Sequence, residues 1–314
     1  MSIIIKRIII LPFMLLIISF FTFFLTSIIP GDIAENIIAK NGGQPTLESI
    51  LDKQEELGLS EPLLGQYFEW LMSALQFDLG ISWITKEPVV QSLLTKVWPT
   101  IILTGSAMII GIAVSVILGT LAAYYKDTII DKVILTFSLL LSCIPDFLLA
   151  FVLLYLFAYT WQLVPLFGYG TIGHLILPAC ILGMGLGAGK ARILRASLLE
   201  VQNSQYIVMA RSKGLSSKRV LFKHALRNAL IPFTTSLGAS IAFLIGGTVI
   251  IESIFNWPGL GKLALQAISN RDIPLMQGYV LLMAVITIVI NLIVDLVYML
   301  LDPRVKVNGV KMLD

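Results

Sequence analysis

The sequence predicts an all-α membrane protein with six transmembrane helices. Three observations carry that prediction. Of 314 residues, 57% are hydrophobic and 13% charged, with a mean hydropathy of +0.91, so lipid is the expected solvent. Long charge-free runs recur along the chain, and several reach the roughly 20 residues a helix needs to cross the hydrocarbon. The Lys and Arg residues fall unevenly between alternate connecting segments. Helices are expected because lipid offers no partner for free backbone N–H and C=O groups.

The first span is predicted from Ile8 to about Ile29, behind Lys6 and Arg7. A secretory signal would have a shorter apolar region, roughly 7–15 residues, followed by a small-x-small cleavage site. This run fits neither condition and is expected to remain as a helix. The second span lies between Lys96 and Lys126, beginning near Trp98-Pro99. The third follows Lys132 and runs to about Tyr159, with Asp146 about halfway along it. Trp161, Pro165, Gly168, Gly170 and Gly173 then break the apolar run, and the fourth span starts near His174. The fifth lies between Arg227 and Glu252, and the sixth between Asp272 and Asp295.

With the N-terminus inside, 16 of the 22 basic residues fall in inner segments and six in outer ones. The flipped arrangement would violate the positive-inside rule, so both termini are expected in the cytoplasm. The chain is thereby divided into a first helix with its cytoplasmic N-terminus (1–29), an extracytoplasmic helical insertion (30–97), a five-helix core (98–300) and a cytoplasmic tail (301–314). In the insertion, Ser60 is a candidate helix cap, with Glu61 and Pro62 in the first turn. Leu64, Tyr67, Phe68, Leu71 and Leu75 follow on one helical face, suited to a membrane surface, to neighbouring loops or to a partner. Asp295 and Asp302-Pro303-Arg304 are expected to anchor the sixth span.

Enzyme chemistry has no support in the sequence. "GMGLGAGKA" at Gly183–Ala191 resembles a phosphate loop, but Met184 stands where that loop needs Gly, and Ala191 where it needs Ser or Thr. The pairs Gly183/Gly187 and Gly185/Gly189, each four residues apart, suit close helix packing instead. Cys143 and Cys180 lie in apolar segments, and His174 and His224 are the only histidines, so no metal site and no catalytic residue is assigned.

The longest inner loop carries most of the positive charge. Tyr206, Met209, Ala210 and Lys213 follow helical spacing up to Gly214, a natural helix stop. Ser216 or Ser217 can start the next helix, along which Arg219, Lys223 and Arg227 repeat every four residues. The spacing predicts two short surface helices with a small-residue corner, spanning about 195–230. Basic loops also follow from topology alone, and such segments attract anionic lipid. The ordered pattern of apolar face, small corner and capped second helix separates a docking element from mere charge.

"YIVMARSKGLSSKRVLFKHALRNALIP" resembles the ATPase-coupling loop of binding-protein-dependent ABC importer permeases, in the dipeptide/oligopeptide/nickel group. Val208 and Met209 depart from the Glu-Ala of the general pattern. "PGD", "LGLSEPLLGQYFEWL", "LLSCIPDF", "HLILPA", "IIESIFNWPGLG" and "LVYMLLDPR" extend the resemblance over nearly the whole chain, to the B-type permease of that group. The resemblance implies a non-catalytic subunit of the bacterial inner membrane forming half of a translocation path. It implies a second, homologous permease, two cytoplasmic ATPases and an extracytoplasmic solute-binding protein, with ATP and magnesium on the ATPases and no cofactor on this chain. Tyr206, Ala210, Arg211, Lys213, Gly214, Leu215 and Arg219 would then form the coupling corner. "QFDLGISW", "FGYGTIGHLILPA" and "IGGTVIIESIFNWPGLG" look most like nickel-import members, so nickel or a metal chelate is the expected cargo, with di- or oligopeptides as the alternative. An ion-coupled secondary transporter is the alternative of another class, but such proteins carry repeats and several intramembrane charges. Two readings of Asp146 stay open: a residue lining the path, or one hydrogen-bonded to a neighbouring helix beside a bending Pro145. Asn256-Trp257-Pro258-Gly259 is expected to form a structural turn with Trp257 at the outer interface, or else a contact for the binding protein.

Overall fold

The structure is a computed structural model that describes residues 2–28, 33–40, 43–58 and 61–301. The Pro30-Gly31-Asp32 motif, the expected cap Ser60, the side chain of Asp295 and the Asp302-Pro303-Arg304 anchor lie outside the described residues. Among the described residues the only pairing of extended chain is an isolated antiparallel bridge between Ile81 and Pro88, and everything else that is regular is helical. Among the described residues, four helices are long and apolar enough to cross a membrane, or up to six if each of two bent pairs counts as one span. The chain divides into two units, residues 1–98 with 262–289, and residues 99–261 with 290–314.

The first unit is built on α1 (Ser2–Ser27), α2 (Ile33–Lys40), α3 (Leu47–Glu56) and α4 (Leu63–Leu75). It also holds the opening turns of α13 (Ile273–Leu301). Helix α3 starts with a reciprocal cap between Thr46 and Ser49. Pro62 precedes α4 at the cap position, one residue outside the first turn where it was expected. The buried residue of α4 is Tyr67, whose ring meets Phe20 and Phe23 of α1 at 5.4 and 5.5 Å and whose hydroxyl bonds Ser19. Leu64, Phe68 and Leu75 of the expected face are exposed, because Tyr67 and Trp70, rather than Leu64 and Phe68, turn toward α1. Asp272 ties the start of α13 to the loop before Val89. Its carboxylate accepts a hydrogen bond from the Ser82 hydroxyl and another from Trp83 N–H at 3.2 Å.

Helix α5 (Val89–Tyr124) begins well before the expected Trp98-Pro99 start, and Pro99 lies inside it. At 36 residues it is about 54 Å long, more than the roughly 30 Å of hydrocarbon. In the second unit it is joined by α6 (Ile129–Cys143), α7 (Asp146–Leu153) with a π-helical turn to Thr160, α8 (Ile172–Gln202) and α11 (Leu226–Ile254). Lipid tails are as apolar as Leu, so helix association in a bilayer relies on close packing. The glycines show it. A Cβ at Gly183 would lie 2.7 Å from Ala107 O, and one at Gly187 would lie 2.7 Å from Val114 Cβ and 2.9 Å from Gly111 O. On α5, Gly119 meets Ala191 O and Leu194 in the same way. The second predicted pair behaves differently: Gly185 faces the Asp146 carboxylate, and nothing lies within 4 Å of a Cβ at Gly189. The phosphate-loop lookalike is continuous helix, as its residue types required.

The turn after α11 is a second packing device. Trp257 is buried, as suits the expected structural turn, and its indole N–H donates to Pro99 O at 2.9 Å. Glu252, fully buried, accepts from Thr100 Oγ1 at 2.7 Å, and the same hydroxyl accepts from Leu260 N–H at 2.8 Å. Thr100 thus satisfies an orphan donor at the start of α12 (Leu260–Asn270). Gly259 and Gly261 lie against the Glu252 carboxylate, where a side chain on Gly259 would overlap it.

Candidate functional site

Two places concentrate the residues singled out by sequence. The first is the corner after α8. Helix α9 (Gln205–Ser212) ends where expected, Gly214 turns the chain at φ +77, and Ser216 takes the cap position of α10 (Ser217–Arg219). A positive φ is readily adopted by Gly and costs other L-residues about 1–2 kcal/mol. The second expected surface helix does not stand alone. It passes through a π-helical turn, Val220–Ala225, straight into α11, because Val220, Leu221, Ala225 and Ala229 bury against Leu194, Leu198 and Ile207.

That packing sorts the seven predicted residues. Tyr206, Arg211, Lys213, Gly214 and Arg219 are exposed, whereas Ala210 and Leu215 are half-buried and rest on the same apolar cluster. Ala210 and Leu215 therefore hold the corner from beneath, and the other five present its surface. Tyr206 Oη accepts a hydrogen bond from Asn228 Nδ2 at 2.6 Å, and Arg211 donates to Gln202 at 3.2 Å. No atom lies within 4 Å of a Cβ at Gly214, so the position is open on the chain's own surface.

Helix α8 also makes an ion pair with α6 that sequence reading missed. Arg195 Nε and Nη2 grip the buried Asp131 carboxylate at 2.8 and 2.6 Å, and Asp127 N–H adds a bond at 3.0 Å. Sequence separation of 64 residues hides such a pair. Arg195 belongs to the basic count of the loop, yet its charge is spent on α6.

The second place is the break between α6 and α7, which meet at 102°. Asp146 does not sit midway along a helix. It opens α7 after the cap residue Pro145, because Pro145 lacks the N–H needed to continue α6. Its Oδ1 lies 3.2 Å from the position of a Gly185 Cβ. Among the described residues Asp146 makes no hydrogen bond or ion pair, so the expected alternative of a bond to a neighbouring helix is not observed. Ser142, Cys143, Ile144 and Pro145 are exposed. Arg192, also missed, reaches Ser142 Oγ from Nη2 at 3.4 Å, and its Nε is buried with no partner. The only advance signal was the seven-residue spacing of Gly185 and Arg192, two full helical turns. Lys190 is occupied, donating to Ser236 O and Oγ at 2.7 and 2.6 Å.

Comparison with known proteins gives the geometry its context. Residues 115–307 match the family described as binding-protein-dependent transport system inner membrane component. Residues 1–104 match the N-terminal family of such membrane components. A probable peptide ABC transporter permease protein from Sinorhizobium fredii is 39% identical over 297 residues, covering 92% of this chain and 94% of its own. A putative peptide transport system permease protein from Brucella abortus is 40% identical, covering 93% and 95%. The glutathione transport system permease protein from Escherichia coli strain K12 is 33% identical, covering 96% and 98%. Among solved structures, an inward-facing methionine ABC transporter matches with a TM-score of 0.57 at 18% identity, over 67% of this chain and 96% of that one, a likeness of fold. The chain belongs to the family of binding-protein-dependent transport system inner membrane components, the non-catalytic permease subunits of ABC importers.

Proposed function

We propose that this chain is the B-type permease of an importer for short peptides and that the Gly214 corner is where its ATPases dock. The observation that carries the docking role is the exposed, glycine-turned corner held from beneath by Ala210 and Leu215. A partner's groove can approach the backbone closely there, with Tyr206, Arg211, Lys213 and Arg219 around it. Six spans with both termini cytoplasmic place this corner on the ATPase side, and the basic-residue asymmetry supports that orientation. A homologous second permease completes the path, and a solute-binding protein delivers cargo from the other side. ATP and magnesium bind the ATPase subunits, whose closure moves the corner. The helices then rock and alternate access to a path that Asp146 lines.

The peptide reading takes the place of the nickel expectation, since the relatives described above are named for peptide or glutathione transport and none of them for nickel. The full complex in proteoliposomes tests both parts. Gly214→Ala carries the backbone cost of positive φ without bulk, and Gly214→Trp adds bulk where the free chain has open space. ATP-driven uptake of tri-alanine is expected to survive in Gly214→Ala and to fall at least tenfold in Gly214→Trp, about 1.4 kcal/mol or more of lost coupling. Arg219→Ala is expected to do less, as a single exposed charge contributes little. Normal uptake and ATPase co-purification in Gly214→Trp would make the loop a lipid contact. Uptake of a nickel–histidine chelate without tri-alanine would restore the nickel reading. Uptake by this chain with no ATPase present would favour the ion-coupled alternative.

A further inference from the structure

We propose that the α6–α7 break and the Gly185–Gly189–Arg192 face of α8 form a transit site for a short zwitterionic peptide. Asp146 receives its ammonium end and Arg192 its carboxylate end. The inference rests on the peptide-importer reading above and adds to it the residues that read cargo charge. It starts from the backbone. Ile144 and Pro145 interrupt the helix inside a segment that, taken with its bent partner, is apolar enough to cross a membrane. Irregular backbone at that depth is tolerated where it meets protein or lines water, not lipid. Residues 142–145 are exposed on this chain, so its own fold does not cover them.

The charges agree. Asp146 is a half-buried carboxylate with no hydrogen bond or ion pair among the described residues. An ionisable group within a span is costly to leave in lipid and commonly marks a substrate path. Of the three basic residues on α8, Lys190 is held by Ser236 and Arg195 by Asp131. Arg192 keeps an unpartnered Nε and one long bond to Ser142, which leaves its planar fork for a carboxylate.

The spacing selects the ligand. Gly185, beside Asp146, and Arg192 are seven residues apart on α8, so they share a face at about 10 Å separation. Gly189 lies between them with nothing within 4 Å of a Cβ, leaving room for a ligand backbone. An extended chain covers roughly 3.3–3.6 Å per residue, so about three residues fit end to end.

The assembled permease–ATPase complex without binding protein tests the site, using native Cys143 as reporter in a Cys180→Ser background. Cys143 is exposed at the break. It is expected to react with a water-soluble cationic thiosulfonate, and tri-alanine to slow that reaction by the factor 1 + [L]/Kd, about fivefold at four times Kd. Tri-alanine amide and N-acetyl-tri-alanine, each lacking one charged end, are expected to protect less. Arg192→Gln should abolish the difference between tri-alanine and its amide, and Arg192→Lys should retain part of it if the variant assembles normally. Cys143 inert to the reagent, or labelled equally with and without peptide in a complex that still imports tri-alanine, would overturn the site and leave the importer reading standing. A complex that imports no peptide would overturn the importer reading, and the transit site with it.

Discussion

Thr100→Val removes one hydroxyl and leaves the volume of the side chain unchanged. In the structure that hydroxyl donates to Glu252 Oε1 at 2.7 Å and accepts from Leu260 N–H at 2.8 Å, with Thr100 only 4% exposed. A hydrogen bond is worth about 0.5–1.5 kcal/mol net, and a buried donor left unsatisfied costs about 1–3 kcal/mol. The sum is expected near 3 kcal/mol, since some relaxation at Leu260 offsets part of it. At roughly 2–4 °C per kcal/mol for a domain of this size, the thermal midpoint of the purified protein should fall by about 6–12 °C. Thr100→Ser keeps the hydroxyl and should lose about 1 kcal/mol, the value of a methyl group. Thr104→Val is the control: that hydroxyl bonds back to Thr100 O and Ile101 O on its own helix, so its loss should change little. Thermal unfolding in one detergent, followed by a thiol-reactive dye or by light scattering, separates the three. Midpoints for Thr100→Val and Thr100→Ser that coincide would refute the claim that this hydroxyl fastens the turn to α5.

Three further perturbations probe the ion pair, the helix packing and the topology. Arg195→Gln leaves the Asp131 carboxylate buried without its main partner and should destabilise by about 3 kcal/mol, read as loss of thermal midpoint, with Asp131→Asn/Arg195→Gln recovering part of it. Gly187→Ala forces a methyl against Val114 and Gly111 O and should cost about 1–3 kcal/mol, while Gly189→Ala, facing open space, should stay within about 1 kcal/mol of the parent in the same melt. Cysteines placed at Ser73 and Ser217, both exposed, should label with a membrane-impermeant maleimide from opposite faces of sealed vesicles. Labelling of both from one face would reject the six-span arrangement.

Residue chemistry alone determined a good deal of this protein. Lipid as solvent, helices as the element, the breaks near Thr160 and Gly214 and the failure of the glycine-rich stretch as a phosphate loop are all local consequences. They follow from side-chain transfer, from backbone groups that lipid cannot satisfy, and from which residues tolerate a positive φ. The corner was legible for that reason: Gly214 and Ser216 act through neighbours a few positions away. Only the tertiary structure decided which faces meet. The sequence marked Gly183/Gly187 and Gly185/Gly189 as equivalent pairs, yet the first packs on α5 while in the second Gly185 faces Asp146 and only Gly189 is open, because helix rotation is set by contacts with residues about 75 positions earlier. Trp257 was expected in a structural turn, but that its ring buries and its indole N–H meets Pro99 O, 158 positions earlier, only the fold decides. Asp146 was placed mid-helix and instead opens α7: Pro145 interrupts the helix locally, but the 102° bend that results is seen only in the fold. Arg195 and Arg192 read alike in a list of loop charges. One is neutralised by Asp131 and the other left without a carboxylate, a difference that exists only once α6 lies beside α8. Local propensities act over a turn or two of chain, whereas pairing of buried polar groups is settled by which distant segments share the same few ångströms.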